Sequence, residues 1–492
     1  MRASRTPSEG PMSPARPIRV FLAVAALALA GAGCGLKPSA SDSLRATGGV
    51  LAPGTSALGG DGLAAGTGTA SGPGTGVSAA GPLGTGVGTA PTGGLSTDGG
   101  SGSDGGAAPP GTPSSAPTAA SRHGSATDRV GVTATTIRIG IHAPITGAAP
   151  IPEDSFVQGA AEWWDHHAVF GRKVEVEFQD DQYKPSVARQ KCEAMARRDF
   201  IVQGAAGTDQ IQACGSDPVI ARDVVPYFSA GVTTAGLVGL RHYFAGSLTY
   251  EEQGPLVLKN AQIQGFAKAG KWALVLSDTP NFDDALRGMS KPLRAAGIPF
   301  DVYRTPKYGS HADEARIAQQ LAAGRYPVVY FLTAPAFFLG AAQSAHGQLY
   351  HPIWTGPGVS MAEGTVAEVG CNGTSGNFDA RYLHPYPGVD RATKAFFDAG
   401  GGDDIAWDTY ASQEALYRML LALRGDISRD NFINTLERST VSVPGYPPLR
   451  FRPDDHFGGT AAWSLRTDCS KAPPDSSTPG MFVTALKDPL YL

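Results

Sequence analysis

Few side chains in this 492-residue chain are spaced for covalent chemistry. Asp165, His166 and His167 are consecutive on a segment with helical apolar spacing. Neighbouring helical positions point in different directions, so the pair lacks the i, i+4 spacing of a helical metal site. Asp180 and Asp181 close a segment that alternates with period two, which suits a turn or a rim better than paired acid–base work. No G-x-S-x-G elbow follows a strand, and no C-x-x-C spacing supports a redox or zinc centre. Asn372-Gly373-Thr374 fits a glycosylation sequon at chance frequency. These residues imply no enzyme, no cofactor and no metal.

The cysteines carry more. Arg16 and Arg19 precede an apolar run at 20–30, which closes on Gly31-Ala32-Gly33 directly before Cys34. A basic stretch, a short apolar run and small residues make residues 1–33 a secretory signal peptide, because the run is too short to span a bilayer permanently. Met12 is an alternative start, since 12–34 forms a complete signal by itself. The cysteine after the small residues resembles a bacterial lipobox, whose thiol is lipidated and becomes the new N-terminus. Gly31 departs from it, standing where that motif usually has an aliphatic side chain. The resemblance implies a protein anchored by lipid on the extracytoplasmic face of the cell membrane, or a secreted one if Cys34 is not used.

Residues 34–128 hold this lipidated cysteine and then a stretch built largely of Gly, Ala, Ser, Thr and Pro. Such a composition buries too little apolar surface to offset the entropy of ordering its backbone. It is expected to be a disordered tether with an r.m.s. span of ~50–60 Å. Its repeated Gly-Thr pieces lack the strand and helix that a phosphate-binding glycine loop needs.

From about residue 129 onward the composition is that of a folded protein, long enough for two lobes. A net charge of −4 and the lack of a Lys/Arg stripe argue against nucleic acid as a partner. Outside the signal no apolar run is long enough for a transmembrane helix. Strand-like segments at 136–145, 172–181, 200–207 and 223–231 alternate with helical spacing at 154–168 and 186–199. A second series follows Tyr250: strands at 271–279, 298–305, 326–334 and 351–358, with helices at 283–296 and 312–323. This alternation predicts an α/β fold of two doubly wound parallel-sheet lobes joined by a hinge, with sites at the C-terminal ends of the strands. The first lobe is assigned 129–249 plus about 356–450, and the second 250–355 plus about 451–492. Four cysteines in an exported domain allow three disulfide pairings. Cys192 and Cys214 are close in sequence on neighbouring βα units and form the preferred pair, leaving Cys371 with Cys469.

Several ordered pieces carry a family resemblance: "GVTATTIRIGIHAPITG", "GRKVEVEFQDDQYKP", "GAAGTDQ", "VPYFSAGVTTAG" and "EEQGP". Together they resemble the type 1 periplasmic-binding proteins of branched-chain amino-acid ABC transporters over essentially all of 129–492. The resemblance implies a solute-binding protein that captures a small molecule between its lobes and presents it to ABC permease subunits. A ligand sensor of the same fold that does not transport is the alternative. By the same resemblance, Thr208 would hold a ligand carboxylate, Asp209 beside it is a further candidate ligand contact, and Gly231 and Thr233 would contact the ligand ammonium and carboxylate. In the second lobe Phe282 matches an aromatic ligand contact without a phenolic hydroxyl. Thr333, Ala336 and Phe337 stand where family members that bind amino acids place polar or acidic groups. A missing acid there would leave an ammonium short of a charged partner in a closed cleft, which is costly. A carboxylate, an amide or a more apolar ligand is therefore expected over a plain α-amino acid, with Thr333 and Phe337 among its contacts.

Overall fold

The structure is a computed structural model and describes residues 128–492 apart from 148–149, 231, 359–363 and 475. The signal peptide, Cys34, the tether and Gly231 lie outside the described residues. The first lobe is built on β1 (Thr136–Ala143), α1 (Glu153–Trp164), β2 (Ala168–Val169), β3 (Arg172–Asp180), α2 (Pro185–Ala196), β4 (Ile201–Gly204), α3 (Thr208–Gly215), α4 (Pro218–Arg222), β5 (Tyr227–Ser229) and β6 (Tyr243–Ala245). Its sheet runs β2-β3-β1-β4-β5-β6 and is parallel except for β2. The chain leaves β1 towards β3 on one side and returns on the other at β4. The crevice at that reversal, beyond the strand C-termini, is where open α/β sheets take ligands.

The chain then crosses to the second lobe at α5 (Tyr250–Ile263), whose Thr249 and Glu252 cap each other's backbone reciprocally. There follow β7 (Trp272–Ser277), α6 (Asp283–Ala295), β8 (Phe300–Thr305), α7 (His311–Gly324), β9 (Val328–Leu332), α8 (Pro335–Gly347), β10 (Ile353–Pro357), α9 (Gly364–Gly373) and β11 (Ala380–His384). It crosses back to place α10 (Lys394–Ala399), α11 (Asp404–Ala422), α12 (Arg429–Leu436), β12 (Thr440–Val441) and β13 (Leu449–Arg450) against the first lobe. A third crossing delivers β14 (Ala461–Asp468), β15 (Met481–Thr484) and β16 (Leu490–Tyr491) to the second sheet, ordered β15-β14-β11-β10-β9-β7-β8 with β16 on β14.

The return to the first lobe comes later than the expected residue 356. β10 pairs with β9 and β11, and Trp354 is buried with Phe331 and Phe338 of the second lobe. One more βα unit thus belongs to the second sheet, and the chain leaves it only after His384. Within that sheet each strand serves two cores. Trp272, Leu274 and Leu276 of β7 pack towards one, and Ala273 and Val275 towards the other. Burial on both faces is what turns period-two geometry into a continuous apolar run.

Cys192 is bridged to Cys214, and Cys371 to Cys469. The first bridge ties α2 to α3 behind the first sheet, and the second ties α9 to the segment after β14. No helix among the described residues is long and apolar enough to cross a membrane.

Candidate ligand site between the lobes

The loops after β1 and β4 diverge at the strand-order reversal, and a cavity of about 120 Å³ opens between them. Its first-lobe wall is Ile151 and Phe156 from the start of α1, with Gln203–Ala206 and Phe228–Ala230 at the ends of β4 and β5. Gly204 permits the close approach: a Cβ there would sit 2.1 Å from the Tyr227 hydroxyl. The floor comes from the chain crossings, through Gly246, His384–Tyr386 and Tyr446. Helix α11 closes the side with Ile405, Asp408, Thr409 and Ser412, and the second lobe contributes Gly358 together with His384 at the end of β11.

Most polar groups around this cavity are already committed. Gln413 takes a hydrogen bond from Trp164 Nε1 at 3.0 Å and donates to Gln203 Oε1 at 2.9 Å. Gln203 Nε2 in turn donates to Ser412 Oγ at 3.2 Å, and Ser412 donates to the Thr409 carbonyl at 2.8 Å. The Tyr446 hydroxyl donates to the Gly246 carbonyl. His384 and Asp408 form the remaining pair, with Nε2 3.1 Å from Oδ2. His384 Nδ1 lies 3.3 Å from the Tyr386 amide nitrogen and 3.2 Å from the Tyr386 carbonyl, so that backbone holds one ring nitrogen while Nε2 faces Asp408. Burial pushes the Asp408 carboxyl above the ordinary carboxylate value, and His384 opposes that rise. One helical turn earlier, burial drives Asp404 up further, and the nearby Asp408 and Asp403 add to it.

Of the residues expected to bind ligand, Thr208, Asp209, Thr233 and Phe282 lie where the lobes meet, and among the described residues none of the expected contacts lines this cavity. Thr208 Oγ1 is 2.7 Å from the Tyr250 hydroxyl, and Phe282 packs 5.7 Å from the Tyr250 ring. Asp209 takes hydrogen bonds from Asn281 and Lys307 of the second lobe. The Lys307 ammonium also lies over the rings of Tyr183 (4.8 Å) and Tyr308 (5.3 Å). Thr233 is fully buried, and the next amide, Thr234 N–H, donates to Asp284 at 2.9 Å. Thr333 is buried at the end of β9 with its hydroxyl on the Ala334 carbonyl. Phe337 is buried in the core with Phe331.

The acids and histidines that open the sequence have structural partners. Asp180 accepts the Ile145, Thr146 and Gln182 N–H groups, and Asp181 binds His142 Nδ1 at 2.8 Å. His166 and His167 lie just beyond the end of α1, and their Nδ1 atoms bond to the carbonyls of Glu162 and Trp163 in its last turn. His142 also lies near Cys192 and Cys214, but both sulfurs are in a disulfide and offer no thiolate to a metal.

Asp408 and His384 are the residues that sequence reasoning missed. Their signal was present: acids four apart inside the otherwise apolar "DIAWD", and a histidine between a strand and a proline in "YLHPYP". A carboxylate does line the cavity, and it comes from a first-lobe helix.

A family model described as a periplasmic binding protein matches residues 136–472. No curated protein matches the chain. Solved structures share the fold at low identity. A fatty acid ABC transporter substrate-binding protein from Thermomonospora curvata superposes with a TM-score of 0.58 at 16% identity, covering 73% of this chain and 93% of its own. A solute-binding protein of an ABC transporter from Rhodopseudomonas palustris HaA2, solved with p-hydroxybenzoic acid, gives 0.60 at 16%, covering 73% and 98%. A possible leucine/isoleucine/valine-binding protein from Rhodopirellula baltica SH 1 gives 0.54 at 15%, covering 70% and 95%.

Proposed function

The chain belongs to the periplasmic binding protein family, and we propose that it serves an ABC importer by enclosing one compact, largely apolar solute between its lobes. The cavity at the floor of the cleft carries this reading. Its volume, about 120 Å³, is on the order of the ~150 Å³ apolar cavities that accept a benzene-sized guest. A single ring or a short branched chain fits that space, whereas an extended acyl chain exceeds it. No Lys or Arg is among the lining residues, and one acid is. The solute class is an amino-acid-like molecule, or a carboxylate or amide with a small apolar body. Ligand stabilises the closed form because each lobe supplies part of the wall, so closure and binding are linked.

The N-terminal signal supports a lipid anchor at Cys34, with the tether holding the domain on the outer face of the membrane. Replacing Cys34 with Ser should release the protein from the membrane fraction, and unchanged retention overturns the anchor. Mass spectrometry of small molecules released from the denatured purified protein tests the solute class. Recovery of a long-chain lipid would overturn the compact-solute reading.

A further inference from the structure

Resting on that cavity reading, we propose that Asp408, positioned by His384, reads a hydrogen-bond donor on the solute. The donor would be an ammonium, amide or hydroxyl group, and solutes lacking one would be rejected.

Acceptor capacity separates the polar side chains at the cavity, where the Thr409 hydroxyl, next to Asp408 on α11, is a neutral second contact and Asp408 is the one carboxylate among the described residues. The amide of Gln203 is held by Gln413 and Ser412, and the Ser412 hydroxyl accepts from Gln203 while donating to the Thr409 carbonyl. The Tyr446 hydroxyl is spent on Gly246. Asp408 differs. An ionised carboxylate is acceptor-only with about four lone-pair sites, and His384 is its hydrogen-bond partner among the described residues. Its side chain keeps 25% exposure, and it lines the cavity. The acceptor capacity left over is therefore turned towards the solute. The imidazole cannot relieve this by reorienting, because Nδ1 is tied to the Tyr386 backbone. A solute without a donor would shut this carboxylate against Ile151, Phe156 and Ile405, where an unpaired charge is costly. Sites built to hydrogen-bond a polar group reject analogues that lack it far more strongly than apolar pockets reject a missing methylene.

The test titrates the purified full chain by calorimetry with two matched pairs. These are L-leucine against 4-methylpentanoate, and 4-hydroxybenzoate against benzoate. The donor-bearing member of one pair should bind ~10–150-fold more tightly, as for a hydrogen bond to a charged group. Asp408→Ala should erase that preference, while the donor-free member changes little. Asp408→Asn separates the donor types, and also serves if the alanine variant fails to fold. An amide carbonyl still accepts from a hydroxyl, so an ammonium preference is lost and a hydroxyl preference largely kept. His384→Ala should shrink the same preference without shifting the donor-free member equally, as expected of a positioning residue. Equal binding within both pairs, or a preference that survives Asp408→Ala, overturns the proposal and leaves the cavity reading standing. Unchanged binding in Ala206→Trp, which fills the cavity, overturns the cavity reading itself. Wild-type protein that binds none of the four probes overturns both.

Discussion

Two carboxylates in the interlobe cleft sit in contrasting surroundings. At the seam, Asp209 of the first lobe is met by Asn281 and Lys307 of the second, with the ammonium boxed by two tyrosine rings. At the floor, Asp408 has His384 and then open cavity. The seam acid joins protein to protein across the lobes, so its contacts favour closure whether or not solute is present. The floor acid is incompletely satisfied when the lobes close empty. Closure thus has one component that is independent of ligand and one that a suitable ligand must complete, and only the second can confer specificity.

The strongest way to break this division is to remove the seam cation. Lys307 and Asp209 are only 11% and 18% exposed. Taking away one partner of such a pair costs about 3 kcal/mol or more, because the remaining charge stays buried. Opening lets Asp209 hydrate, so Lys307→Met should shift the ligand-free population towards open lobes. Apparent affinity should fall roughly 100-fold for every solute alike. Interlobe distance by fluorescence transfer and affinity by calorimetry read the two effects. A loss confined to some solutes would place Lys307 in recognition and dissolve the contrast.

Thr208 sharpens the comparison with a smaller effect. Its hydroxyl and that of Tyr250 are both buried and bonded to each other. Thr208→Ala should leave Tyr250 unsatisfied and lower ligand-free stability by about 1–3 kcal/mol, read by urea denaturation. Unchanged stability with a specific loss of affinity would return Thr208 to the ligand-carboxylate role that the family resemblance implies.

That reversal marks where legibility in the sequence ends. The strands and helices assigned up to residue 358 were readable to within a few residues, because β-branched runs and helical spacing are local signals, whereas β6, α3, α5, α8 and the elements from α9 onward were not assigned. β7 and β9 owe their continuous apolar character to a sheet covered on both faces. The domain boundary was not readable, since β10 looks like any buried strand and only its partners show which sheet it joins. For the site, the loops after β4 and β5 were expected to carry ligand contacts, and other residues of those loops, Ala205, Ala206 and Ala230, line the cavity. Thr208 and Asp209 follow those loops by only a few residues, yet the start of α3 directs them to the opposing lobe. Asp408 was invisible as a site residue because 200 residues separate it from the β4 loop it faces, and only the second chain crossing brings α11 there.

The smallest expected effect is a pH dependence that separates floor from seam. Burial holds the Asp408 carboxyl above its ordinary value, with His384 opposing, and Asp403 and Asp404 lie one turn earlier at the start of α11. It therefore takes up a proton at a pH where an exposed aspartate is still ionised. An ammonium-bearing solute needs the ionised form, so binding must expel that proton. Its dissociation constant should be flat near neutral pH and then rise, by at most about tenfold per unit, as pH falls through the raised value. Ligand-free stability moves the other way through this group. The folded state binds more protons than the unfolded state between the ordinary and the raised value, so acidification in that window stabilises the fold. Comparing wild type with Asp408→Asn isolates both slopes from the other carboxyls. If affinity for L-leucine stays level down to about pH 4 in a protein that binds it, Asp408 does not touch the ammonium, and the floor is as closed to the solute as the seam.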